Sequence, residues 1–365
     1  RLEGFDYDHK NRKDRLRERV RARWGLEKEF NDEWKAGFRI STGPADEAVS
    51  TNQSLDDEFG LKQLYLNRAY GIWTPTQRFR QFIPATELVE IGAGKVENPY
   101  SSWGTSLVWD GDVEPEGIYE ALDFKLADVG EKGSWTLNTL LGQWILEEQS
   151  TKKDIGMQSY GIGTTVVSGD KSQKYVVKYA FYDWQDYDSV LRGGLSNTEI
   201  DNIDASYLTG TTPAGNDLQT DAFKIHSIYL EAGFKDVNTG LFGPQPIKLF
   251  GQFLHNAEEG SQVTNTGQDD AWTLGVQVGK AKDQGTGQFK YQYYEIEQNS
   301  TVGNFSESDL GGGGTNKEGH KFEFKYQILK NVQLAWTNWL VDDIINTSTT
   351  DREVWRTQLD TIFKF

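Results

Sequence analysis

The sequence predicts an all-β fold: a closed antiparallel transmembrane β-barrel of about sixteen strands. Three observations carry this expectation. Arginine occupies every second position at Arg15, Arg17, Arg19, Arg21 and Arg23, with Leu16, Glu18, Val20, Ala22, Trp24 and Leu26 between and after them. Similar alternating segments recur along the 365 residues, separated by gaps that largely alternate between short and long. No stretch reaches the roughly 18 uninterrupted apolar residues of a membrane helix.

The arginine run sets the polarity. Successive strand residues point to opposite faces, so one face carries five cations and the other is mostly apolar. An arginine facing lipid at mid-bilayer costs roughly 2–4 kcal/mol. Five together would exceed the roughly 5–15 kcal/mol net stability of a typical protein. The arginines are therefore expected to face a water-filled interior and the apolar residues to face lipid. Glu18 is the exception, expected in a protomer contact or near the membrane interface.

Each later segment repeats the pattern. Trp34, Ala36, Phe38 and Ile40 alternate with Lys35, Gly37, Arg39 and Ser41. Residues 61–74 hold Leu64, Leu66, Tyr70 and Ile72, but Arg68 breaks the parity. Ile118, Leu122, Phe124 and Leu126 share a face, as do Tyr175, Val177, Tyr179 and Phe181. So do Trp272, Leu274, Val276 and Val278, and then Phe322, Phe324, Tyr326 and Ile328. Each has about the 9–11 residues that a tilted strand needs to cross a bilayer. Residues 134–147 and 222–235 are apolar on both faces in places, which fits either a subunit interface or cover by an inserted loop. Trp24, Trp34, Trp135, Trp336 and Trp355 fall near strand ends, where aromatic rings favour the headgroup level.

The short gaps are 28–32, 128–133, 168–172, 281–286 and Lys330-Asn331; the long ones are 43–60, 96–116, 185–221, 257–269, 299–317 and 342–352. Bacterial barrels have short periplasmic turns and long extracellular loops, which supplies an orientation. Counting from residue 14 gives about fifteen strands, whereas a single-chain bacterial barrel has an even number. Residues 1–7 are expected to supply the end of one more strand, its start missing, with both termini periplasmic. The whole chain, 1–365, is then a single barrel domain. In the last segment Trp355, Leu359, Phe363 and Phe365 share the apolar face with Thr357 and Thr361, and are expected to form a C-terminal assembly signal.

Composition excludes several functions. A hydrophobic content of 36% would suggest a soluble protein, but alternation hides membrane-facing residues among polar ones. The absence of cysteine excludes disulfides, iron–sulfur clusters and cysteine-based zinc sites. A net charge of -17 argues against a nucleic-acid partner and reads most simply as loop solubility. His9, His226, His255 and His320 are too scattered to suggest a metal site, and no cofactor is expected. Gly311 to Gly314 precede no helix or Lys-Ser/Thr pair, so they read as a flexible extracellular loop rather than a phosphate loop. Asp110-Gly111-Asp112 and residues 306–309 complete no calcium-ligand spacing. His226 adjoins Ser227, yet nothing places an acid beside them, so no enzyme is expected.

These segments together resemble the putative porin family of Gram-negative outer membranes. The matching pieces are Asp14 to Arg23, Val49-Ser50-Thr51-Asn52-Gln53, Tyr70-Gly71-Ile72-Trp73-Thr74-Pro75, Asn98-Pro99-Tyr100, Leu107-Val108-Trp109-Asp110-Gly111-Asp112, Ser308 to Thr315 and the terminal Phe365. Their order along the chain, more than any one piece, carries the resemblance. It implies an integral outer-membrane barrel in lipid, often trimeric, that passes small hydrophilic solutes and ions.

In the resembling families the third extracellular loop folds into the lumen. Counting residues 8–13 as the first long connection, the third is 96–116. It carries Asp110, Asp112, Glu114 and Glu116, with Trp103 and Trp109 available as anchors on the wall. These acids are expected to face a basic wall of Arg15, Arg17, Arg19, Arg21, Arg23, Lys35 and Arg39, since fixed charge at a constriction sets selectivity. The same cations are equally suited to holding the loop without affecting solute choice; the sequence leaves both open. A general diffusion porin is the first reading and an anion-selective channel for phosphate or small carboxylates the second. A soluble carbohydrate-binding β-sandwich and a barrel hydrolase are the readings outside transport.

Overall fold

The structure, a computed structural model, describes residues 1–8, 13–45, 47–148, 154–185, 218–219, 222–240, 243–257, 261–262, 267–345 and 353–365. The expected connections 185–221 and 342–352 lie mostly outside these residues, as do parts of 8–13 and 257–269. The alternating segments form strands. In chain order they are β1 (Leu2–Asp8), β2 (Arg15–Val20), β3 (Arg23–Glu29), β4 (Trp34–Ser41), β5 (Gln53–Ser54), β6 (Tyr65–Trp73) and β7 (Thr86–Lys95). Then follow β8 (Glu116–Val129), β9 (Gly133–Glu147), β10 (Ile155–Val167), β11 (Gln173–Gln185), β12 (Leu218–Gln219), β13 (Ala222–Asn238) and β14 (Pro244–Asn256). The last are β15 (Ser261–Gln262), β16 (Asp270–Gly279), β17 (Gly287–Ile296), β18 (Lys317–Leu329), β19 (Val332–Asp343) and β20 (Glu353–Phe363).

Eighteen of these strands form one antiparallel sheet, and β12 pairs with β15 separately. Neighbours in the chain are mostly neighbours in the sheet, as short connections dictate. β1 pairs on one side with β20 and on the other with β2. The expected strand at 14–27 is interrupted: β2 pairs with β1, Arg21 and Ala22 leave the ladder, and β3 pairs with β4. The break lets the two halves of one run join different neighbours.

A second difference lies between β6 and β7, where helix α1 (Thr76–Phe82) follows Pro75. Proline's fixed φ suits a helix start. Thr76 Oγ1 accepts a 2.9 Å hydrogen bond from Val89 N–H, which pins α1 to β7. Where β7 and β8 leave for the connection 96–115, Gly94 faces Gly117. Gly94 has φ +112°, and a Cβ there would run into the Ala69 carbonyl oxygen. Gly94→Ala is therefore expected to lower the yield of folded protein severalfold, read as the heat-modifiable band on an unheated gel; an unaltered yield would contradict this account.

Side-chain polarity divides the sheet. One face exposes Leu16, Trp24, Leu26, Phe38, Ile162, Leu230, Leu274, Phe324 and Trp336, with Leu16 71% and Leu26 57% exposed. The other face carries Arg17, Arg39, Lys178, Lys290, Glu323 and Arg356. Soluble monomers rarely expose an apolar surface this extensive. Among the described residues no helix is long and apolar enough to cross a membrane. Trp24, Trp34, Trp135, Trp336, Trp355, Leu359, Phe363 and Phe365 are all exposed on the apolar side.

The core lies on the polar side, where connections pack back onto the sheet. Tyr100, Trp103, Leu107, Val108 and Trp109 are buried together with Leu140, Trp144, Met157, Tyr182, Trp184 and Ile225. This accounts for the segments that are apolar on both faces: β9 and β13 lie under an inserted loop. Leu141 and Ile228 point outward while Leu140 and Ile225 point beneath the loop.

Candidate functional site

Three connections meet on the polar face: residues 49–54, 96–115 and 299–316. Apolar contacts hold the middle one. Trp109 packs within 5.8 Å of Tyr182 and 5.6 Å of Trp184, and meets Phe305 of the third connection at 6.2 Å. Trp103 lies over Gly161, where any side chain would collide with it, and under the Lys178 ammonium at 4.7 Å. Both tryptophans thus pack against residues of the sheet. The Tyr100 hydroxyl donates to the Leu140 carbonyl at 3.0 Å.

The connection 299–316 corrects an expectation. Its glycine run is not a flexible outer loop. Leu310 is buried, as are Gly311, Gly313 and Gly314. Positive φ at all four glycines, 57° to 91°, winds the chain around a buried lysine. Lys317 Nζ donates to the carbonyls of Leu310, Gly311 and Gly313. Those turn carbonyls, unsatisfied by any ladder, find a cation instead of water.

The loop acids divide among partners. Asp112 pairs with Arg23 and, at 3.5 Å, with Arg21, and accepts the Thr51 backbone N–H at 3.2 Å. Burial opposes its ionisation, but Arg23 and Arg21 outweigh it and hold the carboxyl below its ordinary range. Glu114 lies between Arg39 at 2.5 Å and Arg68 at 2.8 Å. Here burial wins, and the carboxyl stands above its ordinary value despite both arginines. Glu116, the first residue of β8, pairs with Lys95 at 2.7 Å.

Asp110 does not face the arginines. Its carboxylate accepts the backbone N–H groups of Ser308 at 2.8 Å and Asp112 at 2.9 Å, joining the second and third connections. Burial, then Glu307 and Asp112, push its pKa up to about 8 against the hydrogen bonding of Ser308. A carboxyl raised by folding costs stability progressively as pH climbs from its ordinary value toward the raised one, and no further beyond it. Thermal stability in detergent is expected to fall between pH 4 and about pH 8 and then level. Asp110→Asn is expected to flatten that slope; an unchanged slope would reject the assignment.

The remaining predicted cations are dispersed. Arg17 pairs with Glu3, which also binds Arg356. Arg19 donates to the Asn52 carbonyl at 2.8 Å. Lys35 lies 3.6 Å from Glu27. Arg15, exposed and opposite Phe5, has no acid partner among the described residues.

Five charged groups lay outside the site expected from the sequence. Arg68 broke the alternation because the ladder shifts register between Arg39 and Ile40, which returns Arg68 to the polar face opposite Arg39. That break was the only local signal. Buried Glu3 and Arg356 form a network with half-buried Asp309 and Arg1: Arg356 meets Glu3 and, at 2.6 Å, Asp309, while Arg1 lies 3.4 Å from Asp309. Burial opposes ionisation of Asp309, yet Arg356 and Arg1 hold it well below its ordinary range.

Between the connections and the wall lies a cavity of about 480 Å³. Arg21, Arg68, Asp112 and Glu114 line one part; Lys290, Glu307, Lys321 and Lys325 line another. The histidines are less scattered than the sequence suggested. His255 and Asp270 are cross-strand partners 2.9 Å apart, and with Asp269 their ligand atoms lie within 4.8 Å. Nothing catalytic forms at His226. It faces outward and shares a 2.6 Å hydrogen bond with Tyr179 Oη, whereas Ser227 faces inward and accepts from Gln252 at 2.8 Å.

A family model described as "Putative porin" matches residues 7–207 and 215–365. No curated protein matches the chain. Among solved structures it is similar to a triple mutant of the Rhodopseudomonas blastica porin, at 9% identity and a TM-score of 0.42, with 99% of each chain covered. It is also similar to Salmonella typhi OmpF in complex with daunomycin, at 11% identity and a TM-score of 0.49, covering 99% of this chain and 95% of that one.

Proposed function

The chain belongs to the putative porin family, channels rather than enzymes, and on that premise we propose a passive diffusion pore for small hydrophilic solutes and ions in the bacterial outer membrane. The observation that carries it is the inverted sheet: an exposed apolar face outside and a charged, cavity-bearing face within.

The pore is a closed barrel of sixteen strands. Of the eighteen strands in the sheet, β5 is a two-residue strand and β2 and β3 are one interrupted run, which leaves sixteen. The β20–β1 and β1–β2 pairings support joining these sixteen into a ring. Short connections and both termini share one end, which is the periplasmic end in this reading. Arg21, Arg23, Arg39 and Arg68 face Asp112 and Glu114 across the constriction, and solutes pass the field between them. Protomers associate as a homotrimer, and Glu18 marks a candidate contact. It lines an outer groove with Leu2, Phe324, Tyr326, Trp336 and Leu359, where a carboxylate is better placed against protein than in lipid. Trp355, Leu359, Phe363 and Phe365 serve as the outward-facing assembly signal.

Purified protein in a planar bilayer is expected to give discrete conductance steps and a heat-modifiable band on gels. Protein that remains soluble without detergent and passes no ions would end the proposal. A second reading, an anion-preferring pore for phosphate or small carboxylates, is favoured by the lysines on the far part of the cavity wall.

A further inference from the structure

The arginines of the constriction are largely neutralised in place. Arg21 and Arg23 share Asp112, Arg39 and Arg68 share Glu114, and Arg68 also meets Glu97 at 2.6 Å. A cation already paired at close range attracts a passing anion weakly. The attraction must come from cations that lack such partners.

Six cations line the cavity: Arg1, Arg21, Arg68, Lys290, Lys321 and Lys325. Arg1 meets Asp309 and Asp360, Lys321 meets Glu307 at 3.3 Å, and Lys325 meets Glu323 at 2.8 Å. Among these described residues Lys290 alone has neither a hydrogen bond nor an ion pair. Arg15 and Arg19 also lack an acid, but neither lines the cavity.

Cross-strand register explains the isolation of Lys290. It sits on β17 between Gln277 of β16 and Glu323 of β18, and Glu323 is already taken by Lys325. Lys248 on β14 stands beyond Gln277, two strands from Lys290, or roughly 10 Å across the sheet. Both lysines reach the ring of Phe250 on β14. Lys290 Nζ is 5.0 Å from its ring centroid and Lys248 Nζ 5.3 Å. The ring's negative face attracts both ammoniums but neutralises neither. Lys248 reaches Glu231 only at 3.7 Å, and that carboxylate is shared with Lys174 at 3.1 Å. Two ammoniums thus share one ring, and Lys290 brings its donors to the cavity wall.

We propose that Lys290, with Lys248 and Phe250, forms a binding station for a small oxyanion, a carboxylate or inorganic phosphate, on a stretch of wall separate from the arginines. It rests on the channel reading above and assigns the anion preference to a particular residue. Lysine suits the role because its ammonium is a compact charge with three rotatable donors that accepts oxyanions of varied shape.

Planar-bilayer recording under a KCl gradient tests it, with inorganic phosphate and then acetate titrated against the chloride current. Wild-type protein that gives no current at all rejects the channel reading itself, before the station is at issue. Given conducting wild type, Lys290→Gln is expected to lower the anion-to-cation permeability ratio by roughly fivefold to tenfold, as loss of one charge in a partly desolvated site should. It should also weaken phosphate inhibition by a similar factor, while Lys290→Arg retains both. Inhibition by phosphate but not by acetate would identify the ligand as phosphate; inhibition by both, as any small oxyanion. If Lys290→Gln gives no heat-modifiable band, Lys248→Gln carries the same test with a smaller expected drop. A folded, conducting charge-neutral variant with unaltered permeability ratio and unaltered phosphate inhibition overturns the proposal.

Discussion

Arg356→Ala is expected to cost about 3–5 kcal/mol of folded stability, the range for removing one partner of a buried ion pair. Arg356 is 2% exposed and Glu3 is fully buried. Arg356 binds Glu3 through Nε at 2.9 Å and through Nη2, and it donates to the Asp309 carbonyl at 2.8 Å as well as to the Asp309 carboxylate. It therefore joins β20 to β1 and fastens the connection 299–316 to the wall. Without it Glu3 keeps Arg17 and Gln358, but part of its charge is buried without compensation. Urea denaturation in detergent micelles, followed by tryptophan fluorescence, measures the loss. Arg356→Lys should fall between wild type and alanine, because an ammonium lacks the planar fork that reaches both acids. A loss under about 1 kcal/mol for alanine would place the network among weak surface pairs instead.

Neutralising Asp112 and Glu114 together, as Asp112→Asn with Glu114→Gln, is expected to have the largest effect on transport. Arg21, Arg23 and Arg39 would then lose their acid and Arg68 would keep only Glu97, with Arg21 and Arg68 lining the cavity. Unit charges about 4 Å apart interact by about 1 kcal/mol in water and about 4 kcal/mol at the effective dielectric near a protein surface. Removing two acids should therefore raise the anion-to-cation permeability ratio by about tenfold or more. Reversal potential under a KCl gradient reads the change. The loop itself should stay in place, since Trp103, Trp109 and Tyr100 anchor it by packing and by a backbone hydrogen bond. An unmoved reversal potential in the folded double variant would remove these acids from the constriction.

Much of the architecture was legible from one dimension. Alternation at Trp34 to Ser41 and at Trp272 to Gly279 matched strands and their faces, and at Arg15 to Arg23 it matched the faces but not the break at Arg21 and Ala22, because a strand's side-chain period is a local property. The short connections at Lys330-Asn331 and 168–172 were legible for the same reason. Arg68 was not, since one slipped residue in the β4–β6 ladder reverses its direction. Nor was the burial of Gly311 to Gly314: glycine content alone does not distinguish a free loop from one wound around Lys317.

The amino-acid order was enough to predict most strands and the apolar and charged faces, and to favour a membrane over water against the apolar one. Folding in three dimensions settled which charges meet. Asp110 binds Ser308 across 198 residues, Arg356 binds Glu3 across 353, and Lys290 is left without an acid because Lys325 holds Glu323. Periodicity is encoded by adjacent residues, whereas pairing depends on register and on how distant connections pack inside the wall, which no local window contains.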